Sequence, residues 1–426
     1  MTTLKVHSAC DSSLEIGEGE AQVEMIACPD CGLIEQLPPM ELGMNAECSL
    51  CGADLERTSG RSLAAGLACV LGTFLLLIPA NLLPLLKVGI FGMHTQNKLA
   101  SGIGMLWDRE WLLLAILTGA FALVLPFVRF AVLSSVLATI RLNYHPRWLG
   151  PAFRWALWLD VWAMPDVYLV AGLVGFFRLH HVQQMTVKVG IGGYCFLAAA
   201  LLAMLSRASI DRRTVWRAIA PEAEVPDEQP TISCTTCDLI QPIKSAGRDC
   251  PRCGARLHPR KPHAVLRATA LTLAAFVFFF PANILPMNTS IQMGRPVTYT
   301  IFKGVKELLK AGLWPLGIII FCTSIAIPAL KIGGMGWLLF SLRRRSRKHL
   351  VAKTKFHRFI TEIGRWSNVD PFAITVFVPL MTFNTLAASD AAWGATAFIA
   401  VVILTLLATM CFDSRLLWDA AERNSS

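Results

Sequence analysis

Eight cysteines are spaced for coordination chemistry. "CPDCG…CSLCG" holds Cys28, Cys31, Cys48 and Cys51, and "CTTCD…CPRCG" holds Cys234, Cys237, Cys250 and Cys253. Two C-x-x-C knuckles brought together place four thiolates around one tetrahedral ion. Glycine follows three of the four knuckles, where a tight turn asks for a permissive backbone. Four sulfurs leave no open position, so each set is expected to hold a small ribbon together and to supply its folding energy. Zinc is the expected ion, two in all and structural; iron is the second fit to the same sulfurs. A thiol redox pair is the competing reading, and clustered cysteines in a reducing segment argue against it. Cys10, Cys69, Cys195, Cys322 and Cys411 have no partner spacing and read as small apolar residues. A nucleotide-binding G-x-x-x-x-G-K-[ST] loop, a nucleophile elbow and an H-E-x-x-H motif are all missing, so no enzyme is expected.

The elements that carry these ribbons belong to a membrane. The 426 residues are 54% hydrophobic and 16% charged, against about 25% charged in soluble domains. Mean hydropathy is +0.52. Apolar runs at 62–86, 111–140, 189–206, 264–287, 313–342 and 393–412 approach or exceed the ~20 residues that span a bilayer. Weaker runs at 161–178 and 369–388 bring the expectation to eight spans. The first 60 residues are polar and acidic, without the basic-then-apolar order of a signal peptide. The run "RRRSRKHLVAKTKFHR" (343–358) carries eight Lys and Arg, whereas 379–392 carries none. Basic connections face the cytoplasm, so both termini and both ribbons are expected there. The same run is suited to anionic lipid headgroups.

The chain is duplicated. Pro79, Asn81 and Pro84 in "PANLLP" recur 202 positions later as Pro281, Asn283 and Pro286. Pro126 and Arg129 match Pro328 and Lys331, and Trp162 and Asp166 match Trp366 and Asp370. Asp211, Arg213 and Trp216 match Asp413, Arg415 and Trp418. Four spans per copy is an even number, so both copies enter from the same side, as parallel repeats. The expected fold is an all-α polytopic membrane protein: two tandem parallel repeats of four transmembrane helices, each preceded by a small cytoplasmic zinc ribbon. Its segments are 1–60 (tail and first ribbon), 61–220 (first unit), 221–262 (linker and second ribbon) and 263–426 (second unit and tail).

Polar residues inside spans are costly and mark function or scaffold. Asn81 and Asn283 are expected to satisfy carbonyls at a proline kink, a helix terminator or the mouth of a cavity. Arg129 and Lys331 are expected to pair with the acid of their own unit, Asp166 and Asp370. Polarity also differs between the copies. Ser324 and Thr405 stand where the first copy has Ala122 and Ala203. Arg178, His180 and His181 close span three, where the second copy has Thr382, Asn384 and Thr385. One site drawing on both units would account for this, and histidine titrates near neutral pH.

The twin knuckles, "PAN-x-LP", "GRWSNVD" (364–370) and "DSRLLWDA" (413–420) together resemble the paraquat-inducible protein A family over nearly the whole chain. That resemblance implies a subunit in the inner membrane of a double-membraned bacterium. It would pass phospholipid or another lipid to or from a periplasmic MCE-domain tunnel. The implied partners are membrane lipids and the MCE-domain protein, with no nucleic acid. It would be driven by proton coupling, with Arg178, His181, Ser324 and Thr405 as the candidate relay. A membrane redox protein with metal–thiolate centres and a non-transporting scaffold are the alternatives. Bound iron would favour the first, and indifference to substitution at Ser324 or Thr405 the second.

Overall fold

The computed structural model describes residues 3–5, 24–37, 40–41, 43–58, 62–90, 93–108, 110–180, 185–220, 230–292, 295–368 and 387–422. Seven stretches among them are long and apolar enough to cross a membrane: Leu63–Leu82, Leu112–Arg141, Leu149–Phe177, Ile191–Ser209, Ala264–Ile284, Trp314–Arg343 and Trp393–Cys411. The chain is a mostly helical, multi-pass membrane protein. The eighth expected span, 369–388, lies outside the described residues but for its last two positions.

Each half begins with a ribbon of short strands. In the first, β1 (Thr3–Lys5) pairs in parallel with β4 (Asn45–Glu47), β4 pairs antiparallel with β5 (Asp54–Arg57), and β2 (Glu24–Ala27) pairs antiparallel with β3 (Ile34–Leu37). The all-α expectation also left out two further sheets. β6 (Leu86–Ile90) pairs with β7 (Met93–Asn97) and β8 (Met185–Val189). The second ribbon is the hairpin β9 (Thr231–Ser233) and β10 (Ile240–Pro242). β11 (Asn288–Gln292) pairs with β12 (Arg295–Tyr299) and β13 (Ala387–Ala391). The β6 and β11 sheets share one order, with the strand that leaves "PAN-x-LP" in the centre.

Among the described residues the helices follow the same order in both halves. In the first half they are α1 (Leu63–Leu82), α2 (Leu99–Asp108), α3 (Leu112–Gly119), α4 (Leu125–Arg141), α5 (Leu149–Asp160), α6 (Pro165–His180), α7 (Ile191–Ser209) and α8 (Arg212–Ile219). In the second they are α9 (Ala264–Ile284), α10 (Ile301–Lys310), α11 (Trp314–Phe321), α12 (Ile327–Arg343), α13 (Leu350–Ile363), α14 (Trp393–Cys411) and α15 (Arg415–Glu422). The place that corresponds to α6 falls outside the described residues in the second half. A π turn joins α3 to α4 at Ala120–Val124 and α11 to α12 at Cys322–Ala326. Pro126 and Pro328 follow these turns closely. A proline lacks the N–H that the i→i−4 ladder needs, and the extra residue of a π turn absorbs the slip.

"PAN-x-LP" is a built corner. α1 runs through Pro79 and α9 through Pro281 before each helix stops. Asn81 Nδ2 donates to Leu77 O at 2.7 Å, and Asn283 Nδ2 to Phe279 O at 2.8 Å. Each asparagine therefore ties down its own final turn, and not the carbonyl that its proline releases one turn earlier. The second proline then sends the chain into β6 or β11. The start of the last long helix of each half seals the corner: Gly192 N donates to Pro84 O at 3.1 Å and Gly394 N to Pro286 O at 3.0 Å. A Cβ on Gly192 would fall 2.4 Å from Leu83 O, so this approach requires glycine.

The halves pack on one another. α1 lies along α7 and α9 along α14. Trp111 meets Trp393 edge-on with centroids 5.5 Å apart. Val174 of α6 is buried among Val305, Leu308, Leu316 and Ile320 of the second half. α14 is the most enclosed of the seven spans, 61% buried against 22% for α9, and its Ile399 is buried with Leu106, Leu114 and Ala115 of the first half.

Candidate functional site

All four knuckles fold alike. Gly32, Gly52 and Gly254 have φ of +83°, +63° and +66°. The fourth knuckle has Asp238 there, at φ +58°; aspartate is among the few residues that tolerate this region. The N–H of each of these residues returns to the first cysteine's carbonyl, at 3.0 Å (Gly32 to Cys28), 2.9 Å (Gly52 to Cys48), 3.0 Å (Asp238 to Cys234) and 2.8 Å (Gly254 to Cys250). The knuckles are thus one structural unit used four times.

Within each set the four Sγ atoms lie within 4.8 Å of one another, and all eight cysteines are buried. The closest sulfur pairs are Cys28–Cys51 at 3.5 Å, Cys31–Cys48 at 3.6 Å, Cys234–Cys253 at 3.6 Å and Cys237–Cys250 at 3.5 Å. A tetrahedral site with metal–sulfur bonds of about 2.3 Å has edges of about 3.8 Å. The donor sets therefore fit an ion with only slight expansion, and each cluster can hold one. Beside the first, buried Glu35 accepts from Ser49 N at 3.0 Å and Ser49 Oγ at 2.7 Å. Burial pushes the Glu35 carboxyl above its ordinary range, and the Ser49 bonds pull the other way.

The ribbons dock crosswise. The first ribbon rests on α13 of the second half: Arg358 Nη1 and Nη2 donate to Gly52 O at 2.9 Å and Cys51 O at 3.0 Å. Its Nε lies 2.8 Å from Asp30 Oδ2. The second ribbon rests on α5 of the first half, where Gly150 runs so close that a Cβ would sit 1.9 Å from Arg252 O. The first ribbon also binds its own half. Buried Glu56 pairs with Arg213 at 3.1 Å and with Arg217 at 2.7 Å, both on α8.

The repeated D-x-R-x-x-W motif serves this docking. Asp211 and Asp413 accept from the N–H of Arg213 and Arg415, capping α8 and α15. Trp216 packs edge-on to Phe153 of α5 at 4.7 Å, and Trp418 Nε1 donates to Thr354 Oγ1 of α13 at 3.2 Å. In the second half the chain leaving the ribbon is strapped down as well. Lys261 Nζ donates to Met410 O at 2.8 Å and Phe412 O at 3.0 Å, at the carbonyl end of α14, where a cation is favoured. Arg260 forks onto Asp419 at 2.8 and 2.7 Å.

The charged residues of the first half join differently from the expected Arg129–Asp166 pair. Arg129 Nη2 lies 2.6 Å from Asp160 Oδ1. Arg207 bridges Asp160 at 3.0 Å to Asp166 at 2.9 Å and adds a bond to Ala163 O at 3.3 Å. The result is an alternating chain Arg129–Asp160–Arg207–Asp166, and the correction has a simple cause. Asp160 ends α5 beside α4, so it reaches Arg129 first. The second half thins this set out. With Trp162 laid on Trp366, Asp160 falls on Gly364, and with Asp211 laid on Asp413, Arg207 falls on Thr409. One cation and one anion are lost together. Lys331, in the place of Arg129, is fully buried with its ammonium against Gly364 and has no hydrogen-bond partner among the described residues. Asp370 lies outside them. Sequence reasoning passed over Asp160 and Arg207; their joint loss between the copies was the signal.

The candidate relay is only partly described. Ser324 Oγ donates to Ile320 O at 2.6 Å, and Thr405 Oγ1 to Val402 O at 3.0 Å, each within its own helix. Arg178 lies on α6, whereas His181 lies outside the described residues. The structure brings Arg129 and Asp166 into one network and joins no two members of the relay by a hydrogen bond among the described residues.

The family model of paraquat-inducible protein A matches residues 63–220 and again 265–422, which confirms the internal repeat. The chain is 27% identical over 403 residues to the intermembrane transport protein PqiA of Escherichia coli strain K12, covering 92% of this chain and 95% of that protein. It is 28% identical over 414 residues to the lipophilic envelope-spanning tunnel protein A of the same strain, covering 96% and 95%. It is 26% identical over 410 residues to a probable intermembrane transport protein of Haemophilus influenzae, covering 94% and 97%. No solved structure matches the chain. A family model that matches twice, over most of a duplicated membrane chain, places this protein in the paraquat-inducible protein A family.

Proposed function

We propose that this protein is the inner-membrane subunit of a lipid transport system, passing phospholipid or another lipid between that membrane and a periplasmic MCE-domain tunnel. One observation carries the reading: relatives named as intermembrane transport and envelope-spanning tunnel proteins align over nearly the whole chain, both halves included. Seven apolar spans support the membrane setting. In the proposed arrangement two parallel four-helix units lie side by side. Zinc fills both ribbons, and termini and ribbons face the cytoplasm, as the basic run 343–358 favours. The strands that follow "PAN-x-LP" then face the periplasm and the tunnel. Proton coupling through Arg178, His181, Ser324 and Thr405 is the proposed energy source. Both hydroxyls donate within their own helices, which leaves oxygen lone pairs free to accept.

Mass spectrometry of gently solubilised protein tests this reading. Stoichiometric phospholipid, two zinc ions and a copurifying MCE-type polypeptide are the expected result. Iron with neither lipid nor partner would overturn it.

A further inference from the structure

A groove of about 210 Å³ opens between α6, α7 and the strand edge of the first half. Its walls are almost wholly apolar and include Leu85, Tyr168, Gly172, Phe176, Val189 and Leu197. We propose that this groove seats one acyl chain of a membrane phospholipid, at the end of the bundle where "PAN-x-LP" leads into β6. The proposal takes from the transport reading only that the ligand is a lipid.

The occupant follows from where the groove opens. α6 and α7 both belong to candidate membrane spans. Leu173 and Leu197 beside it are 52% and 42% exposed on the same surface. A groove that opens along such a surface is bathed in hydrocarbon, not water. The volume lies below the roughly 300–1,000 Å³ of pockets that enclose a whole drug-sized ligand. It therefore suits part of one chain and excludes a headgroup.

The groove is a built feature. Gly193 holds the start of α7 against the corner, since a Cβ there would sit 2.6 Å from Leu85 O. The edge-on pair of Tyr168 and Phe196, with centroids 5.5 Å apart, stiffens one wall. Gly172 is different: a Cβ added there meets nothing within 4 Å, so the position faces open space. A side chain is tolerated by the fold at Gly172, and its absence leaves the groove empty.

The test uses the full chain in vesicles of phosphatidylethanolamine and phosphatidylglycerol. The vesicles are doped with a phospholipid carrying a diazirine in one acyl chain. After irradiation, crosslinked peptides are mapped. Crosslinks at Gly172–Phe176 and Tyr194–Leu197 are expected at several times the yield at Leu71 and Leu75, which are exposed on α1. Gly172→Leu should fill the groove and return that yield to the α1 level, with the thermal midpoint unchanged; Gly172→Ala should keep most of it. Groove yields equal to those on α1, or unchanged by Gly172→Leu in folded protein, would overturn the proposal. Lipid transfer is measured separately with the partner present. Crosslinks in a chain that moves no lipid would sink the transport reading and leave the groove standing. Transfer without groove crosslinks would do the reverse.

Discussion

Gly150 of the first half and Arg252 of the second ribbon meet backbone to backbone, with no room between them for a methyl group. Replacing a helical glycine by alanine ordinarily favours the helix by about 0.5–1 kcal/mol. At Gly150 the steric term is larger and of opposite sign, because the atom in the way is a carbonyl that cannot swing aside. Gly150→Ala should lower the thermal midpoint and loosen the second ribbon. Gly172→Ala, with nothing near its Cβ, should leave the midpoint unchanged or raise it. Thermal unfolding of the two variants in one detergent checks the contrast; equal effects would contradict it.

Asp160 holds two arginines in a largely buried setting. Removing one partner of such a network costs about 3–5 kcal/mol, because charge is left buried and uncompensated. Asp160→Asn should therefore be strongly destabilising. The triple change Arg129→Lys, Asp160→Gly and Arg207→Thr copies the set that stands in the second half. It should cost less than Asp160→Gly alone, since it removes the charges in balance. A strictly additive result would show that the three residues do not act together.

Each four-cysteine cluster can be emptied separately. Cys48→Ser should halve the bound metal per chain, and Cys250→Ser should do the same. The double variant should bind none. Inductively coupled plasma measurements on the intact protein provide the count. Metal that stays at two per chain in Cys48→Ser would show that the first set is not a ligand set.

His357 lies on α13 beside Phe412, with ring centroids 5.1 Å apart. Burial, reinforced by nearby Lys261, pushes its pKa down from 6.5 to about 4. The folded state keeps the imidazole neutral while the unfolded chain takes up a proton below about 6.5. The unfolded state binds more protons between these values, so stability falls as pH drops through that window and is fully present above it. His357→Gln should flatten this dependence between pH 6.5 and 5. Parallel melting curves for wild type and variant measure the slope, and identical slopes would refute the assignment.

Lys87 and Lys188 stand directly opposite each other on β6 and β8, both exposed. Like charges at such a position are unfavourable, and opposite ones are worth roughly 0.2–1 kcal/mol. Lys188→Glu should stabilise the protein by about that amount at low salt, and the gain should shrink as salt is raised. Melting at two ionic strengths decides it.

The duplication, the apolar spans and the cysteine spacing were legible because each leaves a local mark: a repeated phrase, a run of about 20 apolar residues, a C-x-x-C pair. The three-stranded sheets were not. Leu86–Ile90 and Met93–Asn97 are short, and their third strand, Met185–Val189, arrives only after two further spans. Nor could spacing tell which half a ribbon would choose, since α5 and α13 are copies of one helix. The partner of Arg129 was misread for a related reason. Asp166 recurs in both copies and attracted attention, whereas Asp160 occurs in one and forms the closer bond.

Crossed ribbons impose an order on synthesis. The second ribbon leaves the ribosome with its seat on α5 already made. The first ribbon emerges long before α13, and must wait while six candidate spans are threaded into the bilayer. Its Arg358 clasp closes only near the end of translation, so completion of the N-terminal segment reports that the C-terminal half has arrived.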